Sequence, residues 1–382
     1  MEVVFIDPEP PDMAGGGIRS YLRLAMATCR EQGINARLYT HNPNAFPGEK
    51  STSIGRKSWL PRPIRGLAYR FQYSETVLWE YAYWIAIQIK AIDSSDKVYE
   101  FADYLGYGFF ALRNLALRKR IVLRIHTPRF MIPTQINNFQ ERVASLHGKW
   151  REQNCLSKAI HISVPSAEFI REQLPYLRRW THVPNLLPKL FPLEKKPVTM
   201  DQVRFLYLGR VEPRKGVLIL VRAFLTLARE NPEATLTLVG GQVPGEYGEI
   251  VRELITSQSK AIQQRLTWSH SCTSSERDNL LSGFNVLVAP SLWENSPYVY
   301  FEGMAAGLLC LGSSTGEMKA VSKITNGPSA LPGDENDWLR AMREVVNGEH
   351  WNAVAKQTTY LESKREDIPI QLMSFFRAIA DP

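Results

Sequence analysis

The chain of 382 residues is 44% hydrophobic and 22% charged, with no low-complexity tract and no repeat period. That excludes fibrous, repeat and disordered classes, and the length suits two domains with a core each. No run of about 18 apolar residues occurs, so a membrane-spanning helix is not expected.

In chain order, "EVVFID" reads as a short strand, followed by the loop "PEPPDMAGGG" and a helix from about Ile18 to Glu31 that Gly33 stops. "ARLYT" is the next strand. Residues 59–92, rich in Trp and Tyr, read as largely helical. "KVYEFADY", "RIVLRIHTP" and "AIHISVPS" are further strands, the last with Ser166 placed to cap a helix. Prolines crowd "HVPNLLPKLFPLEKKPVTMD", where the pattern lapses, so a linker is expected at 185–200. Strands "VRFLYLG", "ATLTLVG", "RLTWS", "FNVLVAP" and "LLCLG" then alternate with helices at 216–230, 246–260, 274–282 and 297–306. "IPIQLMSFFRAIADP" closes the chain as an apolar-periodic helix. Strands alternating with helices imply parallel sheets covered on both faces. The expected class is α/β with two Rossmann-like domains across a cleft: 1–184, a linker 185–200, 201–362, and a terminal helix 363–382 packing back across the junction.

The N-terminal "MEVVFID" reads as a strand rather than a leader peptide. Cys29, Cys155, Cys272 and Cys310 lie far apart in no metal-ligand or CxxC spacing, as expected of reduced thiols in a cytoplasm.

The chemistry concentrates at strand ends. "FNVLVAP" delivers Ser291 to Asn295 at its carboxyl end; Ser296 suits an N-cap, Pro297 the first helical position, and Gly307 the stop. Such a helix aims N–H groups and a positive dipole end at an anion, with Ser296 to Tyr298 at its start. Glu294 precedes the helix and Glu302 lies within it. Two acceptor-only carboxylates beside an anion site suit hydroxyl groups on either side of a phosphate. "FLYLGRVEPRKG" ends another strand and supplies Arg210, Arg214 and Lys215; Arg210 can clamp a phosphate through two N–H groups and Lys215 adds a compact charge. Taken singly, Arg210 could be an ordinary surface residue and Glu302 the partner of a lysine.

The segments "LYLGRVEPRKGVLILVRAF", "LTLVGG" and "VLVAPSLWENSPYVYFEGMAAG" together resemble the donor-binding domain of family 4 retaining glycosyltransferases, which have the two-domain GT-B fold. The family's pair of glutamates with seven residues between them is matched by Glu294 and Glu302. The resemblance covers essentially the whole chain, with "MAGGGIRSY" similar to the family's glycine loop and "HVPNLLP" to its inter-domain segment. It implies that Arg210 and Lys215 hold the donor diphosphate, Glu302 the ribose hydroxyls and Glu294 the transferred sugar. It also implies a His near the donor sugar at the position of His126, which would otherwise be a structural strand-end histidine. Gly15, Gly16 and Gly17 would allow close backbone approach to a substrate, and Arg19 would meet either an acceptor or solvent. Asn295-Ser296-Pro297 stands where many members have a Gly-Phe or Phe-Gly pair, Gly303 where Ala is usual, and Gly316 and Glu317 carry over from a Gly-Gly-x-x-Glu stretch that is only partly kept.

By this resemblance the acceptor attacks the face from which the diphosphate leaves, so configuration is retained, while the cations and the helix end stabilise the leaving group. No Asp-x-Asp motif occurs, so no metal and no cofactor are expected, and the donor is expected to be a UDP-sugar ahead of a GDP-sugar.

Net charge is +8 but lopsided: residues 1–200 hold 28 Lys and Arg against 17 Asp and Glu. Two basic stretches, 50–74 and 104–140, suggest an anionic partner, either acidic lipid headgroups or a phosphorylated acceptor, unless they are merely solvated. The expected partners are a nucleotide sugar and a glycan or lipid-linked acceptor, with an anionic membrane surface at the basic stretch 50–74 and no nucleic acid. Trp79, Tyr83 and Trp84 read as core residues of a helix. A dinucleotide-dependent oxidoreductase is disfavoured because "GGGIRS" ends in Ser20 rather than Gly. A nucleotide-sugar epimerase on the same fold, or a non-catalytic nucleotide-binding subunit, stands as the alternative.

Overall fold

The computed structural model describes residues 1–9, 17–46, 48–132, 136, 138–188, 202–243, 245–269 and 279–380. It divides into two units. The first comprises residues 1–165, 176–186 and 367–382; the second comprises 166–175 and 187–366.

The sheet of the first unit has the order β3-β2-β1-β4-β5-β6-β7 and is parallel throughout. Its strands are β1 (Glu2–Ile6), β2 (Asn35–Thr40), β3 (Ser51–Ser53), β4 (Lys97–Ala102), β5 (Ile121–Arg124), β6 (His161–Val164) and β7 (Thr181–His182). Val3, Val4, Phe5 and Ile6 are all buried, as a central parallel strand requires when helices cover both faces. Helix Gly17–Glu31 buries Tyr21, Leu22, Ala25, Met26 and Cys29 along one stripe. Each fully buried aliphatic or aromatic side chain contributes about 1.5–3 kcal/mol. Helix Arg62–Ala91 is interrupted at Gln72, whose φ of −148° and ψ of 63° break the helical run. Residues 59–92, expected to be largely helical, are so from Arg62 to Ala91 apart from that break. Trp79 and Tyr83 pack on Phe110, and Trp84 on Tyr39, but all three are half-buried and stand at the rim of the core rather than within it.

The second sheet has the order β10-β9-β8-β11-β12-β13, again parallel. Its strands are β8 (Arg204–Leu208), β9 (Thr235–Val239), β10 (Leu266–Ser269), β11 (Val286–Ala289), β12 (Leu309–Ser313) and β13 (Ser329–Ala330). All four residues of β11 are buried. Helix Val217–Glu230 packs against Glu335–Val346, whose Trp338, Met342 and Val345 sit in the core with Phe224 and Leu220. Helix Ala167–Gln173 belongs to this unit although it follows β6; Ser166 caps it, its hydroxyl accepting the Phe169 N–H at 3.2 Å. Helix Ala353–Ala380 supplies residues to the second unit up to Glu366 and to the first from Asp367, where Phe376 meets Phe5 edge to face.

In each sheet the strand order reverses beside the first strand of the unit, at β1/β4 and at β8/β11. Ligands of open parallel sheets bind outside the carboxyl ends at such a reversal.

Candidate active site

In the second unit the reversal brings together the segments after β8 and β11. The chain leaves β8 at Gly209, and the Tyr207 hydroxyl donates to the Arg210 carbonyl at 2.6 Å, pinning the turn. Pro213–Lys215 form one tight helical turn, closed by Gly216 in the left-handed region at φ 66°. A Cβ on Gly216 would lie 2.0 Å from the Pro290 carbonyl oxygen, so only glycine lets this loop lie against the end of β11. The Leu292 N–H completes the junction by donating to the Arg214 carbonyl at 2.8 Å.

The side chains follow from that contact. Arg214 is buried and reaches two acids: Nη1 donates to Glu294 Oε1 at 2.8 Å and Nη2 to Glu212 Oε1 at 2.8 Å. Its guanidinium also lies 4.7 Å from the Trp293 ring centroid. Lys215 Nζ donates to the same Glu294 oxygen. Burial alone would raise the Glu294 carboxyl, but Arg214 and then Lys215 override it and pull it down to about 2. The Lys215 ammonium is lowered from its usual value by burial, with Glu294 opposing. Glu294 is thus a fixed anion, a poor base and a poor nucleophile. Arg210, by contrast, has a 54% exposed side chain whose nearest acid is Glu212 at 3.5 Å.

The helix after β11 runs Tyr298–Ala305 and starts one residue later than its sequence suggests. Pro297, extended at φ −77° and ψ 118°, is the N-cap in place of Ser296, and no side chain caps the end. The first N–H groups therefore belong to Tyr298 and Val299, where a helix has no acceptors of its own. Ser296 is half-buried, Pro297 and Tyr298 are buried, and Glu302 is half-buried within the helix.

Helix Gly316–Thr325 abuts the same loop. Gly316 has φ 52°, a Cβ there would lie 1.9 Å from the Glu294 carbonyl oxygen, and the Glu317 N–H donates to Asn295 O at 2.9 Å. Burial raises the Glu317 carboxyl to about 7, though the Tyr360 hydroxyl opposes this from 3.4 Å. Glu172 was not legible as a site neighbour; its carboxylate accepts from Thr315 Oγ1 at 2.9 Å and Gly316 N at 3.3 Å and pairs with Lys319 at 2.7 Å.

In the first unit, Gly15 and Gly16 lie outside the described residues, as do Cys272 and most of the expected linker and of the 274–282 helix; Gly17 opens its helix and is exposed. Arg19 does not meet solvent. It is 1% exposed and paired with Asp7 at 3.1 Å and Glu9 at 3.2 Å. An acid at the end of β1 was visible in "EVVFID", but no local spacing links it to Arg19. His126 follows β5, half-buried, its N–H donating to Asp103 Oδ1 at 3.0 Å and its ring edge to face with Tyr21. Burial, reinforced by Arg124, lowers the imidazole well below its usual value, so it is neutral near pH 7. Asp103 itself is raised to about 8 by burial.

Among the described residues, Glu344, Glu349 and His350 bring potential metal-ligating atoms within 4.8 Å of one another, but Glu344 already serves Arg340 at 2.6 Å and His350 at 3.3 Å.

Residues 202–347, which contain the β8–β11 junction, match the family model described as glycosyl transferases group 1. No curated protein sequence matches the chain. Solved structures do match along its full length. Sucrose-phosphate synthase from Thermosynechococcus elongatus superposes with a TM-score of 0.71 at 17% identity, covering 99% of this chain and 98% of that one. Anabaena Alr3699/HepE in complex with UDP gives 0.68 at 15%, covering 99% and 100%. WaaG, a glycosyltransferase involved in lipopolysaccharide biosynthesis, gives 0.66 at 15%, covering 98% and 99%. At such identities the structural matches show that the chain has the GT-B fold, and the family model shows likeness to glycosyl transferases group 1 for residues 202–347.

Proposed function

We propose that the chain transfers a sugar from a UDP-sugar to a glycan or lipid-linked acceptor, with retention of configuration and without a metal ion or other cofactor. The observation that carries this reading is the junction of Arg210, Arg214, Lys215 and Glu294 at the carboxyl ends of β8 and β11. Arg210, with its exposed side chain, would take the diphosphate together with Lys215 and the helix start at Ser296, Pro297 and Tyr298. Departure of a nucleoside diphosphate builds charge on its terminal phosphate, and fixed cations with a helix N-terminus stabilise that charge best in the transition state. Glu302 would accept from the ribose hydroxyls and Glu294 from the sugar.

Retention is supported by the state of Glu294. A carboxyl held at about 2 cannot usefully take a proton from an acceptor hydroxyl, so a departing phosphate oxygen is the better base. UDP is favoured by the likeness in fold to Alr3699/HepE, whose structure contains it. Metal independence is supported by charge: two arginines and a lysine do at this site what a divalent cation would otherwise do. The first unit is proposed to bind the acceptor through the loop at Gly15, Gly16 and Gly17, with neutral His126 as a hydrogen-bonding group. A cytoplasmic location at an anionic membrane face completes the reading; none of the described helices is long and apolar enough to cross a bilayer.

Slow donor hydrolysis without acceptor, followed by proton NMR, tests it. The sugar should appear first as the anomer it had in the donor, at an equal rate with and without chelator. First release of the opposite anomer would overturn retention, and loss of turnover on chelation would overturn metal independence.

A further inference from the structure

Helix Arg62–Ala91 begins inside out. Over 62–71 its apolar residues Ile64, Leu67 and Phe71 follow one another at i, i+3 and i+7, a single face, and they are 53%, 57% and 59% exposed. The polar face turns inward instead. The Tyr69 hydroxyl donates to Glu80, Arg56 lies 3.6 Å from Glu80, and an open pocket of about 590 Å³ is lined by Arg56, Arg62, Arg65, Tyr69 and Tyr73. The break at Gln72 permits this orientation, and Gln72 Nε2 ties the bend to helix Phe139–Lys158 by donating to Gln140 O at 2.7 Å. That second helix carries exposed Phe139, Leu146 and Trp150 at i, i+7 and i+11, and Trp59 is exposed nearby in sequence. A helix that docks on a protein core hides its apolar face. Here the polar contacts hold the apolar face outward.

We propose that helix 62–71 inserts its Ile64–Leu67–Phe71 face at the surface of an anionic lipid bilayer. This deepens the membrane-face reading above and rests on it for its purpose, delivery of a lipid-linked acceptor. Charge selects the occupant. At 3.6 residues per turn Arg70 falls on the flank of the apolar face, exposed Arg62 stands at the helix start, and half-buried Arg65 sits at the pocket beside it. No Asp or Glu occurs from residue 50 to 74, and among the described residues none forms an ion pair with Arg62, Arg65 or Arg70. Arginines flanking a shallow apolar face, with tryptophan and tyrosine beside it, suit headgroup phosphates over the acyl boundary. Pairing with a second copy across a two-fold axis would instead set the arginine flanks against each other.

The test is vesicle flotation of the full chain with phosphatidylcholine alone and with phosphatidylglycerol added, alongside its oligomeric state in solution. Wild type should float only with the anionic vesicles. The double variants Leu67→Asp/Phe71→Asp and Arg65→Glu/Arg70→Glu should each lose about tenfold or more in binding. Leu67, Phe71 and Arg70 are exposed and Arg65 is half-buried, so an unchanged melting temperature of each variant confirms folding, and an unchanged thermal shift with UDP separates this proposal from the donor reading. Failure of wild type to float, flotation that neither variant weakens, or a wild-type dimer that Leu67→Asp/Phe71→Asp dissociates would each overturn the proposal. Loss of the UDP response with flotation intact would count against the donor reading alone.

Discussion

Arg214 holds Glu294 across the junction of two strand ends, Nη1 to Oε1 at 2.8 Å, and Lys215 reaches the same oxygen from the next position in the chain. Glu212 balances Arg214 from the other side, so this cluster of two cations and two carboxylates is neutral, and the exposed Arg210, 3.5 Å from Glu212, makes the junction positive. Such an arrangement is poised for an added anion: the cations are already positioned and already desolvated.

Removing Glu294 leaves buried Arg214 and half-buried Lys215 beside each other with one acid fewer. Glu294→Ala should lower stability by about 3–5 kcal/mol in urea unfolding. A nucleoside diphosphate should narrow that deficit, because its phosphates replace the lost negative charge. A variant as stable as wild type would mean that the ion cluster contributes little to the fold.

Arg210 separates binding from stability. Its side chain is largely in water, so Arg210→Ala should change unfolding by no more than about 0.5 kcal/mol. Affinity for UDP should nevertheless fall about tenfold or more, as expected when a charge-assisted phosphate contact is lost. Titration calorimetry of both proteins would show it, and unaltered affinity would remove Arg210 from the diphosphate site.

The two glycines that let the loops touch should not tolerate a methyl group. Gly216→Ala places a Cβ 2.0 Å from the Pro290 oxygen, and Gly316→Ala one at 1.9 Å from the Glu294 oxygen, both with φ above 50°. Each should lower the melting temperature and, in whatever fraction folds, weaken UDP binding. Wild-type stability for either variant would contradict the close approach described here.

Glu317 carries a pH signature. Burial raises its carboxyl from 4.5 to about 7 in the folded chain, so between these values the folded protein holds a proton that the unfolded chain releases. Its contribution to stability is full below pH 4.5 and is lost as pH rises through 7. Glu317→Gln, which keeps the neutral shape, should flatten the fall in melting temperature over that window. An unchanged slope would mean that Glu317 is ionised in the fold.

The site on the second unit was legible where chemistry follows chain order. Buried apolar strands ending in Gly209 and Pro290, cations at 210, 214 and 215 and the spacing of Glu294 and Glu302 all lie within two short stretches. The pairing of Arg214 with Glu294 was not legible, because the partners are eighty residues apart and only the β8–β11 neighbourhood joins them. The same holds for Arg19 with Asp7 and for Glu172 with Thr315. Ser296 looked like a cap because Pro commonly takes the first helical position; here Pro297 stays extended and takes the cap itself. Helix Phe139–Lys158 shows no apolar stripe because its buried face carries Gly148, Arg151 and Glu152 beside Cys155 and Leu156, and β3, β7 and β13 are edge strands of two or three residues with no alternation to read.

Binding of a nucleoside diphosphate at the β8–β11 junction is tested by thermal shift with UDP, GDP, ADP and NAD on wild type and Glu302→Ala. UDP should raise the melting temperature more than the other three, and the rise should shrink in Glu302→Ala as the ribose hydroxyls lose their acceptor. Stabilisation by NAD alone would mean that the junction is not a nucleoside-diphosphate site, and a UDP response that Glu302→Ala leaves intact would mean that Glu302 does not hold the ribose.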